Sequence, residues 1–376
     1  MRHFIEENLD LLYGTLRELC AIPAPSGQEE GRAQYCRRWL EGIGAEGVYI
    51  DEALNVIFPI GCDGSDKITV FVAHTDTVFP DTEPMPYEDD GTVIRSPGVG
   101  DDTASLAVLL LTAKYFVGHG ICPPHGIMFV CNSCEEGLGN LKGTRKLFES
   151  FAGRIARFVS FDSTSLDHIA DRCVGSHRYE VTVRTEGGHS FLSFGNENAI
   201  ARLSALVCDL YSIKAPQKPG TKTTYNVGKI CGGTSVNTIA EDAAMLCEYR
   251  SDDEECLAFM KEQFAAAFER AKSSDTDLTV RCIGERPCMG DVDATALGEL
   301  VGTCQEIIES TAGVRVGMGS GSTDCNIPLS LGIPAVCIGV YNGGGAHTRG
   351  EWIEKSSLPT GLEIAIRTAT VLTAEK

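Results

Sequence analysis

The sequence predicts an α/β protein: an α/β sandwich built on a mostly parallel sheet, with a ferredoxin-like α+β domain inserted into it. Three observations carry this. Apolar, strand-like runs alternate with helix-like stretches between residues 48 and 162, the rhythm of parallel strands joined by crossover helices. Near Ser176 the order becomes strand, helix, strand, strand, helix, strand over about 110 residues, which is the ferredoxin-like pattern. The first rhythm then resumes to the end. At 376 residues the chain also exceeds what one compact core usually spans. The expected division is 1–175, 176–286 and 287–376, with the outer parts forming one domain around the insertion.

Residues 7–19 (ENLDLLYGTLREL) carry apolar side chains at helical spacing, and AIPAPSGQEE interrupts them. Ser26 to Glu29 has capping-box spacing and predicts a helix to about Leu40. VYIDEALNVIFPI and KITVFVAH are β-branched and apolar and read as strands. After the turn-rich DGTVIRSPGVG, the segment DDTASLAVLLLTAKYFV reads as a helix opening on two aspartates. GIMFVCNSC and RFVSFD are further buried strands with a helical stretch between them. In the insertion, HRYEVTVRTE alternates as a half-exposed strand and ENAIARLSALVCDLYSI is a helix. TTYNVGKICGG and AAMLCEYRS are strands, EECLAFMKEQFAAAFERA is a helix, and DLTVRCIGE is the last strand. The final part holds a helix over 293–310, a Gly/Ser loop, the strand PAVCIGV, a Gly-rich loop and a helix from about Lys355.

Charge excludes some partners. Thirty-two basic against 52 acidic residues give a net charge of −20, which repels phosphate backbones and anionic membrane surfaces. Nucleic-acid and membrane partners are therefore not expected. The start, MRHFIEENLD, lacks the apolar run of a signal peptide, and SLAVLLLTA is half of the roughly 18 residues a span needs. With 16 cysteines and no export signal, a reducing, cytoplasmic location is expected. The single C-x-x-C, Cys131 and Cys134, has no second pair nearby and reads as small apolar residues at a strand end.

Chemistry collects where the predicted strands end. His74 and Asp76 follow KITVFVA, Glu135 and Glu136 follow GIMFVCNSC, Asp162 follows RFVSF, and His347 lies just after PAVCIGV. Asp101 and Asp102 open the helix after a glycine turn. Ligands of open α/β sheets bind outside the carboxyl ends of the strands. Two histidines and several carboxylates converging there are the donors that divalent ions take, and one carboxylate can bridge two ions. Such a pair acidifies a water held between them and polarises a carbonyl. Asp76, two residues after His74, leaves the strand on the same side and can orient the imidazole. Glu135 and Glu136 point apart, so one can coordinate while the other takes a proton.

These residues, in this order, resemble the aminoacylase-type dinuclear zinc metallopeptidases over nearly the whole chain, most closely the peptidase T-like, tripeptide aminopeptidase-like members. The resemblance implies a metal-ligand role for His74 in AHTDT, with Asp76 beneath it, and for Asp101 in GVGDDT as the bridge. In CEEGLGN it makes Glu135 the general base and Glu136 a ligand; FDSTS supplies Asp162 and GGGAHTRGE supplies His347. His74 and Asp162 complete one site, Glu136 and His347 the other. Two divalent ions are implied, Zn2+ first, with Co2+ or Mn2+ accepting the same ligands. The inserted domain becomes a lid and dimerisation domain: EGGHSFLSFGNENAI offers His189 as an oxyanion-stabilising histidine, GGTSVNTIA offers Asn237, and EYR offers Arg250 to grip a substrate carboxylate. SGSTDCN, with Ser322, resembles a substrate-side loop. The chain departs from the family at Thr103, where lysine is frequent, at Glu248, where aspartate is, and at Cys134, where a third glutamate is.

Asp at the fourth ligand position goes mainly with aminopeptidases and dipeptidases in this family, so Asp162 implies release of an N-terminal residue from short peptides. The partner expected is a short peptide, and a homodimer through the lid. Alternatives are an N-acyl-amino-acid amidohydrolase or carboxypeptidase on the same site, or a non-catalytic metal-binding scaffold. A third alternative, a nucleotide-binding protein, is disfavoured: GMGSGST has no lysine and its glycines are wrongly spaced for a phosphate loop.

Overall fold

The computed structural model describes residues 1–272 and 277–374. The chain divides into two compact units, Met1–Cys173 together with Gly290–Lys376, and Val174–Met289.

In chain order the main strands are β1 (Tyr49–Ile50), β2 (Val56–Ile60), β3 (Ile68–His74), β4 (Gly126–Asn132), β5 (Ile155–Ser163), β6 (His168–Cys173), β7 (Gly175–Arg184), β8 (Thr223–Gly232), β9 (Asp242–Ser251), β10 (Asp277–Arg286), β11 (Gly317–Gly321) and β12 (Ala335–Gly339). The first unit holds an eight-stranded sheet in the order β1-β2-β4-β3-β5-β12-β6-β11. Its four central strands are mutually parallel. Every residue of β3 and β4 is buried, as expected of central strands covered on both faces. The helix Ser105–Gly118, buried on almost every face, packs across β3, β4 and β5. Phe129 stacks between Phe58 and Phe71 and meets Phe116 of that helix edge-on. Truncating such a buried ring to alanine costs about 3–5 kcal/mol, so this cluster fixes the sheet from which the site residues project.

The second unit is an antiparallel four-stranded sheet in the order β8-β9-β7-β10. Helices Ala199–Ser212 and Glu254–Ala271 bury Leu203, Leu206, Met260 and Phe264 against Val181, Val183, Met245 and Tyr249 of the strands. Asn198 and Asp253 cap the two helices with their side chains.

Several local expectations change. The Gly/Ser loop is the edge strand β11, paired in parallel with β6, which the sequence also hid. The helix after the aspartate pair starts at Ser105; Asp101 and Asp102 lie in a wide kinked turn, outside helical φ/ψ, with a cis peptide between them. Ser26 caps nothing: the helix is Glu30–Gly42, and the Ser26 hydroxyl donates to Asp76 Oδ2 at 2.6 Å. The turn-rich segment around Val93–Arg95 joins a second, small sheet with Glu88–Asp89, Trp352–Glu354 and Gly343–Gly344. Among the described residues no helix is long and apolar enough to cross a membrane.

Candidate metal centre

The end of β3 sets the site. His74 is 1% exposed, and its ring is fixed at Nδ1, which lies 3.0 Å from the Asp76 carbonyl oxygen and 3.4 Å from Asp76 Oδ1. The backbone carbonyl is thus the nearer orienting group. Donation from Nδ1 presents Nε2 to the site, 3.1 Å from Asp101 Oδ1 and 3.9 Å from Asp162 Oδ1.

The Asp76 carboxylate has further work. Oδ1 accepts the Glu135 backbone N–H and Oδ2 accepts that of Glu136, both at 2.9 Å, beside the Ser26 hydroxyl. One buried carboxylate therefore fixes the backbone of both glutamates. Burial pushes its pKa up, but His74, Ser26 and the Glu136 N–H outweigh that and hold it below the ordinary carboxylate value. Just before the glutamates, Cys134 sits at φ 56°, a strained position for a residue with a side chain. Its N–H and S–H both donate to buried Glu29 Oε1, at 3.1 and 3.2 Å, which secures the turn.

Asp101 divides its two oxygens between two imidazoles. Oδ1 lies 3.1 Å from His74 Nε2 and Oδ2 lies 3.0 Å from His347 Nε2, which is also 3.1 Å from Glu136 Oε1. Glu351 anchors the turn: Oε2 accepts the Gly98 N–H at 2.6 Å, and Oε1 accepts those of Gly100 and Asp101 at 2.9 and 2.7 Å. The glycines are required there. A Cβ on Gly98 would meet Thr77 Cγ2 at 2.7 Å, and one on Gly100 would meet Glu351 Oε1 at 2.9 Å. His347 sits at φ 63° and its side chain is 58% exposed, against 1% for His74. The centre has a deep side and an open side.

The donor chemistry fits two divalent cations. Ligand atoms of His74, Glu135 and Asp162 lie within 4.8 Å of one another, and so do those of His74, Asp101 and Glu136. Both imidazoles face carboxylate oxygens. Burial opposes the charge on His74, yet Asp101, Asp76, Asp102 and Asp162 raise its pKa well above the ordinary value. Hydrogen bonds to Asp101 and Glu136 push His347 up to about 10. Burial raises Asp162, and raises Glu136 to about 7. For Asp101, burial is outweighed by His347 and His74, and its pKa is lowered. Cations binding such a cluster would displace protons from it.

Of the other expected residues, Ser322 belongs to the first unit and His189, Asn237 and Arg250 to the second. Ser322 is half-buried between β11 and the short helix Asn326–Ser330. His189 is exposed beside Asn237: Gly188–His189 pairs with Thr238–Ile239, and the Ser190 N–H donates to the Asn237 carbonyl at 2.9 Å. His189 Nδ1 accepts from the Phe191 and Leu192 N–H groups, at 3.2 and 3.4 Å. A neutral ring accepting at Nδ1 carries its proton on Nε2 and is a donor there. Arg250 spends its guanidinium on Glu248, with bonds of 2.9 and 3.0 Å, and Glu248 also meets Arg178 at 3.3 Å.

Sequence reasoning missed Glu351, Glu29 and Asp324. Asp324 is fully buried and accepts from Asn132 Nδ2 and the Thr144 hydroxyl; burial and the nearby Glu135 charge raise its pKa to about 7. It lies inside the SGSTDCN segment that also holds Ser322.

The sequence pattern of peptidase family M20/M25/M40 matches residues 70–370, from within β3 into the last helix. The chain belongs to that family. As a family member it is an enzyme, a hydrolase acting on peptide bonds. The succinyl-diaminopimelate desuccinylase of Corynebacterium glutamicum is 24% identical over 365 residues, covering 93% of this chain and 95% of that one. A tripeptidase from Staphylococcus aureus has the same fold, with a TM-score of 0.73 at 21% identity, over 98% of this chain and 99% of that one. A dinuclear metal-binding peptidase of the family from Bacillus subtilis matches with a TM-score of 0.66 at 17% identity, over 98% and 99% of the two chains. The fold class expected from the sequence is the fold of this family.

Proposed function

We propose that this family member is a dinuclear zinc exopeptidase that releases the N-terminal residue from short peptides. The observation that carries the reading is the division of Asp101 between His74 and His347, a bridging arrangement with Glu135 buried beside it. His74 and Asp162 would hold one ion, Glu136 and His347 the other, with Asp101 shared. When bound, such a pair makes water acidic enough to deprotonate near neutral pH and polarises a carbonyl.

The chain's own groups do the rest. Glu135, its backbone fixed by Asp76, takes the proton of the attacking water on its carboxylate and passes it to the leaving amine. His189 donates from Nε2 to the oxygen that gains charge, a role supported by its Nδ1 acceptor bonds. Arg250, with Asn237 and Ser322, orients the peptide, Arg250 by exchanging part of its Glu248 fork for the substrate carboxylate. The chain acts in the cytoplasm as a homodimer through its inserted unit. Phe191, Leu192 and Phe194 beside His189, 82%, 79% and 89% exposed, support an interface there.

A second reading, an N-acyl-amino-acid amidohydrolase or carboxypeptidase on the same site, is favoured by the likeness to a desuccinylase. Turnover of matched di- and tripeptides, free and N-acetylated, with zinc, cobalt or manganese, separates the two. Cleavage confined to free-amine peptides is expected; preference for the acetylated set would move the chain to the second reading.

A further inference from the structure

We infer that Arg32 is a positioning residue of the metal centre: its guanidinium clamps the His74–Asp76 strand exit to the turn that carries Asp101 and Asp102. The inference rests on the metal reading above.

Arg32 lies on the helix Glu30–Gly42 and is fully buried. Nε donates to the Ile22 carbonyl at 2.9 Å, and Nη1 donates both to the Thr75 carbonyl at 3.0 Å and to Thr103 Oγ1 at 3.1 Å. Thr75 stands between His74 and Asp76, and Thr103 directly follows Asp102. One nitrogen thus joins the two segments whose side chains meet at the centre. Among the described residues, the other direct tie between them that does not involve the proposed ligand atoms is the His74 N–H to Asp102 Oδ2, at 2.9 Å. Both bonds tie the strand exit to the turn.

Packing alone does not call for an arginine here. Among the described residues its donors meet neutral acceptors and no carboxylate, and an unpaired buried cation is costly. An apolar side chain of similar length would fill the space without that cost. What it would lack is the rigid fork, which reaches acceptors on three segments at once and which the flexible ammonium of lysine does not reproduce.

Zinc itself is the probe. The full chain is stripped with a chelator, its melt recorded to show that it is folded, and titrated with zinc against a competing dye. Wild type is expected to bind two ions, and Arg32→Lys to bind at least one of them about tenfold more weakly, the scale of lost outer-shell support. Thr103→Val, which removes one acceptor and keeps the shape, is expected to weaken the same ion by a smaller factor. Added to Arg32→Lys it is expected to do nothing more, because the bond is already broken. Wild-type affinity in Arg32→Lys, or losses that simply add, would overturn the clamp. Should Arg32→Lys not fold, unchanged affinity in Thr103→Val would overturn it alone. A wild type that binds no zinc would overturn the metal reading, and the clamp with it.

Discussion

Glu351 accepts the backbone N–H of Asp101 at 2.7 Å, so the segment that carries His347 also fixes the turn that carries the shared carboxylate. The two oxygens of Glu351 take three backbone N–H groups in all. Glu351→Ala leaves these buried donors unmatched, at about 1–3 kcal/mol each. The expected outcome is a lower melting temperature and zinc affinity reduced by about 10–100-fold. Glu351→Gln, which keeps one acceptor oxygen, is expected to fall between, and zinc titration with calorimetry orders the three.

Asp76 is expected to matter through its backbone partners as much as through His74. In Asp76→Asn the amide nitrogen cannot accept, so either Glu135 or Glu136 loses its N–H acceptor. Activity is expected to drop about 10–100-fold with the protein still folded. Steady-state kinetics together with metal analysis of the same preparation check it.

The metal-free protein should lose stability as pH rises. His347 has a folded pKa of about 10 against 6.5 unfolded, and Glu136 about 7 against 4.5. Both bind more protons in the folded state, so each contribution is complete below the unfolded pKa and lost as pH passes the folded one. Asp101, whose pKa is lowered, acts in the opposite sense only below pH 3.8. The melting temperature of the stripped protein is expected to fall between pH 6 and pH 9. Zinc should remove most of that slope, because the ions replace the protons. Paired melts with and without zinc read it.

His189 is expected to affect turnover and leave zinc binding alone. Removing the Nε2 donor in His189→Ala should lower kcat about 100–1,000-fold, the usual effect of losing one oxyanion donor. The exposed loop beside it gives a separate test. Phe191→Ser with Phe194→Ser should convert a dimer to a monomer in sedimentation, while the melt of the protein stays within a few degrees of wild type.

The outline of the fold was legible because β3 and β4 are buried on both faces and so carry mostly apolar side chains. β11 was not, since GMGSG has no strand-forming side chain and pairs only through its backbone, at a position where a Cβ on Gly319 would meet the His168 ring at 2.6 Å. Ser26 matched a capping box by spacing, but its hydroxyl found Asp76, 50 residues away, and no local rule sees that. The strand-exit residues of the centre could be gathered because parallel strands deliver their ends to one rim. Their supports could not. Glu351 and Arg32 look like surface charges in GGGAHTRGE and EGRAQYCRRWLEG, and only the packed chain shows the backbone groups they meet.

The account stands most directly on one comparison: zinc content and tripeptide turnover of wild type and Glu135→Ala, measured on the same preparations. Two ions bound in both, with turnover in the wild type and a loss of at least about 1,000-fold in the variant, is the expected result. Turnover retained in Glu135→Ala, or two ions bound by a wild type that cleaves neither free nor acetylated peptides, would contradict it.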